Sequence, residues 1–542
     1  GNWRDIFQNW GALCTSFPGF LPSVTAKFVN ASTVDGFNPY RITREGIDWE
    51  TVDPDDPWSY IGYWGDHQII YLLKFLESLV RFHPGRLEGM LSREIYSYAD
   101  VPYRIKPYED ILEDPDKTID YDHQRAGLID ERVEAVGSDG RLLHDSSGAV
   151  YHVNLLEKLL VPVLSKVSNL VPGGGIWMNT QRPEWNDANN ALVGNGVSMV
   201  TLSYLRRHVY FMAGLLDRVG DAGMPVSSEV AEWFSALDSV LGSARGLLAG
   251  EAIDDSDRKR VLDMLGRAFS EYRSKVYASG FSGKRPVRTG KVAGFFRTVL
   301  VWLDHAIEDN RRDDGLYHAY NLLEISRDGE SASVKHLYEM LEGQVAALSS
   351  GRTGPEETAT ILEALFEGSM FRADQRSFML YPRRELPAFM DKNTVPAARV
   401  MSSDLLRALV EEGEDAILSL DSSGVYRFNG DFANAVDLSS ALDRLAEDGR
   451  WTAPVLEGRR TVLDIFEEVF DHRSFTGRSG TMYGYEGLGC IYWHMVSKLQ
   501  LALQEITRGA SGDETGRRHL DRLADLYFRV RAGLSFENPV LE

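Results

Sequence analysis

The sequence predicts an all-α fold in which many helices form one toroid or solenoid, and two observations predict it. Apolar residues recur at spacings of three and four along most of the chain, as on the buried face of an amphipathic helix. Alternating, strand-like stretches are few and short. The 542 residues would suffice for two or more domains. However, about a dozen helices with long connecting loops use this length in one domain, so we expect a single domain over 1–542.

The first clear helical pattern runs from 63 to 80, where Ile69, Leu72, Leu76 and Leu79 share one face. The same periodicity predicts further helices at 153–170, 198–216, 229–248, 258–277, 291–307, 334–348, 358–366, 402–418, 438–445, 461–470, 488–506 and 517–532. Short strands are expected at 149–153, 322–326 and 424–428. The pattern therefore indicates a helical chain with a few minor strands.

Two long segments lack this periodicity, at 16–56 and 98–147, and both are rich in turn-forming residues. A compact domain rarely carries such loops unless they build a site. The chain opens on an aromatic and charged segment from Asn2 to Trp10 and closes on Leu541-Glu542. We therefore expect a catalytic-type domain with long site-building loops, excised from a longer chain.

The charge of the chain excludes several kinds of partner. There are 58 Lys and Arg against 80 Asp and Glu, a net charge of −22, which disfavours nucleic acid and anionic membranes. No run of about 18 apolar residues occurs, so no membrane span is expected. Two cysteines are too few for a disulfide framework. They fit a reducing compartment and also a secreted protein that avoids thiols, and of the two we expect a cytoplasmic protein. The sequence indicates no oligomeric state.

The strongest functional signal lies between a glycine triplet at 173–175 and Gly194. Amides and carboxylates bind sugar hydroxyls, and indole faces pack on the apolar faces of pyranose rings. The residues of this segment that we expect to contact a sugar are Trp177, Gln181, Arg182, Trp185, Asn186 and Asp187, with Glu184 as a catalytic carboxylate. The alternative is that Asp187 and the asparagines cap the next helix and satisfy the loop backbone.

The segment Glu184-Trp185-Asn186-Asp187-Ala-Asn-Asn-Ala-Leu-Val-Gly resembles the Asp-Trp-Asn-Asp-Gly-Met-Asn-Leu-Val-Gly segment of the cellobiose and chitobiose phosphorylase family. Trp3-Arg4-Asp5-Ile6-Phe7-Gln8 and Gly65-Asp66-His67-Gln68 are similar to two further segments of that family. The resemblance implies an (α/α)6 barrel with its site in a central funnel. It also implies that Glu184, at the position of the family's Asp, is the general acid.

Three more groups of residues are expected to bind sugar, and each has a structural alternative. Arg4 and Asp5 would clamp hydroxyls beside Trp3, or would form a buried ion pair. The loop with Asp35, Tyr40 and Arg41 would fold over the funnel, or would be a surface loop with Asx turns. The last group, at the start of a helix, comprises Trp64, His67 and Gln68 together with Asp66. In this group Asp66 would be catalytic or would cap the helix.

A second functional signal is the glycine-rich segment from Asp471 to Gly489. Arg478 could bind phosphate, whereas Tyr483 and Tyr485 could contact sugar, with Glu486 as a carboxylate at the start of a helix. The alternative is a glycine-rich helix start in which Glu486 interacts with its own helix N-terminus. The segment has no Walker spacing and no metal-ligand motif appears in the chain, so we expect neither a metal nor a cofactor.

These signals predict a glycoside hydrolase that cleaves an oligosaccharide or polysaccharide with inversion. Glu184 would be the acid, and Glu486 or, second, Asp66 would be the base that activates water. Such carboxyl groups lie roughly 6.5–9.5 Å apart in inverting enzymes. One alternative is an inverting glycoside phosphorylase, in which inorganic phosphate is the nucleophile and no base is needed. A non-catalytic sugar-binding helical module is the other.

Overall fold

The computed structural model describes residues 3–39, 41–44, 46–51, 61–64, 68–115, 117–182, 192, 194–250, 252–382, 387–471, 491–512 and 514–534. Helices dominate these residues and the sheets are small, which confirms the predicted helical fold class. The chain divides into two compact units. Unit 1 comprises Gly1–Glu184, Val193–Pro382 and Cys490–Glu542, and unit 2 comprises Trp185–Leu192 and Arg383–Gly489. The toroid and the single domain over 1–542 stay predictions.

The helices of unit 1 come from both ends of the chain. They are α1 Trp3–Ser16, α2 Leu21–Asn30, α3 Gln68–Phe82, α4 Arg86–Met90, α5 Tyr108–Glu113, α6 His123–Val136, α7 Leu155–Ser168, α8 Met199–Val219, α9 Ser228–Ser243, α10 Asp255–Ser279, α11 Thr289–Asp309, α12 Leu341–Ser349 and α13 Pro355–Glu367. After unit 2 follow α19 Trp493–Ala510, α20 Glu514–Arg517 and α21 Leu520–Ala532.

Helix α7 lies at the centre of unit 1, since each of its residues is buried. Asn154 caps it by accepting a hydrogen bond from the Glu157 amide at 2.9 Å, which satisfies one of the free N–H groups of the first turn. The helix contains Glu157, Lys158 and Lys166 as well as apolar residues. Buried charges need partners, and Glu157 has three hydrogen-bond donors: the Tyr98 hydroxyl and the Ser227 amide and hydroxyl.

The strands of unit 1 form one five-stranded antiparallel sheet and several two-stranded pairs. The large sheet has the order β13 (Ala332–His336), β12 (Tyr320–Ile325), β9 (Gly196–Ser198), β7 (Gly175–Trp177) and β6 (Leu170–Val171). The pairs are β1 Arg41–Ile42 with β2 Ile47–Asp48, β3 Tyr63–Trp64 with β8 Gln181–Arg182, β4 Tyr103–Ile105 with β5 Ile119–Tyr121, β10 Gly223–Ser227 with β11 Lys284–Arg288, and β14 Phe371–Arg372 with β15 Ser377–Phe378.

Unit 2 has a hydrophobic core of its own. Its helices are α14 Phe389–Lys392, α15 Ala397–Ser402, α16 Asp404–Glu412, α17 Ala435–Ala446 and α18 Thr452–Phe470, and its hairpin pairs β16 Leu418–Leu420 with β17 Tyr426–Phe428. Phe466 is 1% exposed and its ring lies 5.0 Å from that of Phe428 and 4.6 Å from that of Phe470. The core thus joins the hairpin to α18.

Several element predictions need correction. The predicted helix 334–348 begins as strand β13, because Val334 pairs with Leu323 across the sheet. Helix 402–418 ends at Glu412, since Gly413 adopts a left-handed conformation there. Helix α6 lies inside a segment expected to be loop. Only Ile129 of that helix is buried, so its sequence carries little of the apolar periodicity that predicts helices.

A polar network joins α19 to α3 and α8. Arg207 donates to both carboxylate oxygens of Glu77, at 2.7 and 2.9 Å, and to Glu505 at 2.7 Å. Lys74 donates to the other oxygen of Glu505 at 3.2 Å. The network therefore fixes α19 to two helices that come earlier in the chain. Within the described ranges, no helix is both long and apolar enough to cross a membrane.

Candidate active site

The parallel pair of β3 and β8 brings together two segments that the sequence predicts to be functional. Tyr63 is the register partner of Gln181, and Trp64 that of Arg182. The Tyr63 amide donates to the Thr180 carbonyl at 3.3 Å. Because the strands are parallel, their carboxyl ends lie side by side. In the sequence, Asp66 follows β3 and Glu184 follows β8, each by two residues.

Many of the predicted site residues lie outside the described part of the chain. These are the three catalytic candidates and eight expected sugar or phosphate ligands: Glu184, Glu486, Asp66, Tyr40, His67, Trp185, Asn186, Asp187, Arg478, Tyr483 and Tyr485. For five others the structure describes the backbone alone. Trp3 and Arg4 lie on α1, Trp64 on β3, and Gln181 and Arg182 on β8. Their roles stay predictions.

Asp35 is buried and held by two tyrosines. Its carboxylate accepts hydrogen bonds from the Tyr277 hydroxyl at 2.7 Å and from the Tyr63 hydroxyl at 3.4 Å. Burial raises the pKa of this carboxyl, although the two hydroxyls and the charges of Arg273 and Arg104 act in the opposite direction. Asp35 is 2% exposed, so its present partners are protein groups.

The other described candidates are in contrasting environments. Asp5 is exposed in the first turn of α1, where its negative charge stabilises the helix by interacting with the positive end of the helix dipole. Arg41 is half exposed and pairs with Glu50 at 3.2 Å. Gln68, the first residue of α3, is 1% exposed, and neither atom of its amide has a hydrogen-bond partner within the described residues.

Trp177 lies in β7, within the five-stranded sheet. Its side chain is 4% exposed, and its indole N–H donates to the Gly194 carbonyl at 2.6 Å. This bond closes the two ends of the segment 177–194, which contains Glu184. Trp177 therefore holds the two ends of that segment together, and its predicted contact with sugar stays a prediction.

The glycine triplet before β7 is a sharp turn that needs its glycines. Gly173 has a φ of +72° and Gly175 one of +129°, a region that other residues rarely adopt. A Cβ on Gly175 would lie 2.9 Å from the Ser198 carbonyl oxygen. Asn310 and Asn321 hold the turn by donating to the carbonyls of Gly173 and Gly174, at 2.9 and 2.6 Å. The turn thus fixes the start of β7.

Sequence reasoning did not identify the residues that hold β3 and β8 in place. Thr118 donates to the Asn179 carbonyl at 2.6 Å, and the Asn179 amide donates to the Asn169 side chain at 2.8 Å. Tyr63 directly precedes Trp64 in a segment singled out above, but nothing in its spacing indicates a bond to Asp35. Tyr277 lies far away in the chain, on α10, and only the tertiary structure brings it to this position.

Comparison with known proteins gives one finding that bears on function. Residues 386–473 match a family model described as GH149 phosphorylase insertion domain 2. This range falls within the main segment of unit 2, Arg383–Gly489. No curated protein matches the chain. The match relates the chain to the glycoside hydrolases and phosphorylases, and it confirms in this coarse form the prediction of a glycoside-active enzyme.

Proposed function

We propose that the protein is an inverting glycoside phosphorylase that transfers a glycosyl group from an oligosaccharide to inorganic phosphate. The observation that carries the proposal is the match of residues 386–473 to an insertion domain of a phosphorylase family. The sequence resemblance to the cellobiose and chitobiose phosphorylases supports it independently, since that resemblance rests on other residues. In this proposal unit 2 interrupts, in sequence, a catalytic-type domain that unit 1 forms, and the (α/α)6 toroid belongs to unit 1.

The proposed reaction uses one acid and one external nucleophile. Glu184 donates its proton to the glycosidic oxygen while a phosphate oxygen attacks the anomeric carbon from the opposite face. The bond between the anomeric carbon and the glycosidic oxygen breaks, and its electron pair stays on that oxygen. The products are a sugar phosphate of inverted configuration and an oligosaccharide shortened by the transferred unit. Because phosphate is itself the nucleophile, no carboxylate base is required.

The predicted residues around the strand pair and in the glycine-rich segment have binding roles in this scheme. The residues around β3 and β8 would contact sugar hydroxyls through carboxylate, amide and indole groups. Arg478 would bind phosphate, since a guanidinium matches the geometry of that anion. These roles are proposals that rest on residue type and sequence position.

An inverting hydrolase is the second candidate, and the pairing of β3 with β8 favours it. The carboxyl ends of these strands lie side by side, and each strand is followed after two residues by a carboxylate, Asp66 or Glu184. Two carboxylates from neighbouring segments are what an inverting hydrolase uses as base and acid. In that case water replaces phosphate, and the product is a free reducing sugar.

A glycan panel incubated with and without inorganic phosphate tests the proposal. A phosphorylase releases sugar phosphate only when phosphate is present, whereas a hydrolase releases free sugar in both conditions. Glu184→Gln should lower kcat by about 10²–10⁴-fold, while Glu131→Gln, at an exposed position on α6, should leave kcat unchanged. Asp66→Asn and Glu486→Gln separate the candidates further, since loss of its base abolishes hydrolysis, whereas phosphorolysis needs no base. Glycan binding without turnover would overturn both and favour a sugar-binding module.

A further inference from the structure

We propose that Asp35 and Tyr277 are positioning residues that hold strand β3 against β8. They thereby fix the positions of the two strand ends, after which Asp66 and Glu184 follow in the sequence. This inference rests on the proposed function. It gives Asp35 a role through Tyr63 and the strand, in place of direct contact with sugar.

The first step of the argument is that Tyr63 connects Asp35 to the strand pair. The Tyr63 hydroxyl donates to Asp35 at 3.4 Å, and its backbone amide donates to the Thr180 carbonyl at 3.3 Å, next to β8. Its ring stacks on Phe37, with centroids 5.5 Å apart and planes 17° apart. Tyr63 is 1% exposed. One residue thus joins the Asp35 loop to the first hydrogen bond of the pair.

The second step is that the loop carrying Asp35 is held on two sides. Gly36 has a φ of +81°, and a Cβ there would lie 2.9 Å from the Val161 carbonyl oxygen of α7. The Tyr272 hydroxyl of α10 donates to the Val34 carbonyl at 2.9 Å. Tyr277, also on α10, donates to Asp35 itself at 2.7 Å. The loop is therefore packed on α7 and hydrogen-bonded to α10, and these contacts hold Asp35 in position.

The third step is that the hydrogen bonds of Asp35 gain strength from their surroundings. Asp35 and Tyr63 are buried within unit 1 and Tyr277 is partly buried, so water screens the hydrogen bonds of Asp35 little. The Tyr277 hydroxyl also accepts a hydrogen bond from the Ile105 amide of β4, at 3.3 Å. The cluster thus connects α10, β4, the Asp35 loop and β3. Removal of one hydroxyl leaves a buried acceptor without its donor, which costs more than the bond itself contributes.

The fourth step is the sensitivity of catalysis to position. Trp64 and Arg182 end the two strands as register partners, and the proposed acid follows two residues later. A shift of about 1 Å in a catalytic group lowers the rate by about 10²-fold. Loosening β3 should therefore lower kcat, even though Asp35 does not touch the reacting atoms.

The test compares Tyr277→Phe with a matched control, Tyr108→Phe. The Tyr108 hydroxyl donates to Asp263 of α10 at 2.8 Å, so both variants remove one tyrosine–carboxylate hydrogen bond to or from the same helix. Amide hydrogen exchange of residues 61–64 should become about tenfold faster in Tyr277→Phe, equivalent to about 1.4 kcal/mol, and should not change in Tyr108→Phe. Tyr63→Phe removes the longer bond to Asp35, of 3.4 Å, and should speed exchange of the same residues by a smaller factor.

Activity gives the second readout. The kcat of glycan cleavage should fall at least about tenfold in Tyr277→Phe, with KM for glycan changed less than about twofold. Equal exchange or equal kcat in the two variants would overturn the inference. Hydrogen exchange needs no substrate, so it still tests the positioning role if the wild-type protein cleaves no glycan, a result that would contradict the proposed function alone.

Discussion

Substitution of Arg207 by methionine should loosen the attachment of α19. The change removes three hydrogen bonds to carboxylates, of 2.7 to 2.9 Å, and one to the Ser349 carbonyl at 3.3 Å. Fully buried pairs cost 3–5 kcal/mol when one partner is removed, and exposed pairs contribute about 0.2–1 kcal/mol. The side chains of Arg207, Glu77 and Glu505 are 19%, 27% and 36% exposed, so solvent screens them in part. We expect a loss of about 2 kcal/mol.

The assay is urea unfolding at pH 7, together with hydrogen exchange of residues 493–510. Arg218→Met is the matched control, since Arg218 is on the same helix and pairs with Glu88 at 3.0 Å with half of its side chain exposed. The control should change the free energy of unfolding by less than about 0.5 kcal/mol. Equal losses in the two variants, or unchanged exchange in α19, would refute the reasoning.

The pH dependence of the same network has a definite sign. Burial raises the pKa of Glu505, but Lys74 and Arg207 outweigh it and hold that pKa below its usual value. A carboxylate with a lowered pKa in the folded state contributes stability above its unfolded pKa and loses it as the pH falls through the folded pKa. The stability difference between wild type and Arg207→Met should therefore shrink below about pH 4.5.

Three further predictions concern other parts of the molecule. Gly36→Ala should lower stability by about 2–4 kcal/mol, because Ala at a φ of +81° is strained and its Cβ meets the Val161 carbonyl oxygen at 2.9 Å. Burial lowers the pKa of His208 to about 4. As the pH falls, the unfolded chain therefore binds a proton at this position before the folded chain does, and the folded state of the wild type loses stability. His208→Leu should abolish this loss, which is about 3 kcal/mol between pH 6.5 and 4. Phe466→Ala should destabilise unit 2 by about 3–5 kcal/mol.

Each of these three has a matched comparison. Gly148→Ala has nearly the same φ, +82°, but nothing within 4 Å of the added Cβ, so a loss equal to that of Gly36→Ala would contradict the contact argument. Met212→Leu, at another buried position of α8 that carries no titratable group, should leave the pH dependence as it is. Phe528→Ala, where Phe528 is 59% exposed, should change the thermal unfolding midpoint little. If Phe466→Ala changed the midpoint as little as Phe528→Ala, that result would contradict the burial of Phe466 in the core of unit 2.

The helical fold class follows from periodicity, because local spacing decides which residues share a helix face. Helices α8 and α11 agree closely with the predicted 198–216 and 291–307. Where the prediction was wrong, a nonlocal partner, a poorly buried face or, for helix 402–418, the left-handed Gly413 was responsible. Residues 332–336 form a strand because β12 lies beside them, and α6 was not recognised because it buries only Ile129.

The sequence by itself determined the helical class, the segments rich in carboxylates, amides and indoles, and the expectation of a glycoside-active enzyme. The helical class and these segments follow from residue type and spacing, which are local properties of the chain, whereas the expectation of an enzyme also rests on the resemblance of residues 184–194 to the cellobiose and chitobiose phosphorylases. Only the tertiary structure decided that Asp35 is buried between Tyr63 and Tyr277, and that β3 pairs with β8. Such contacts join residues that are far apart in sequence. They exist because packing and hydrogen bonding in the folded chain favour them, and no local pattern encodes them.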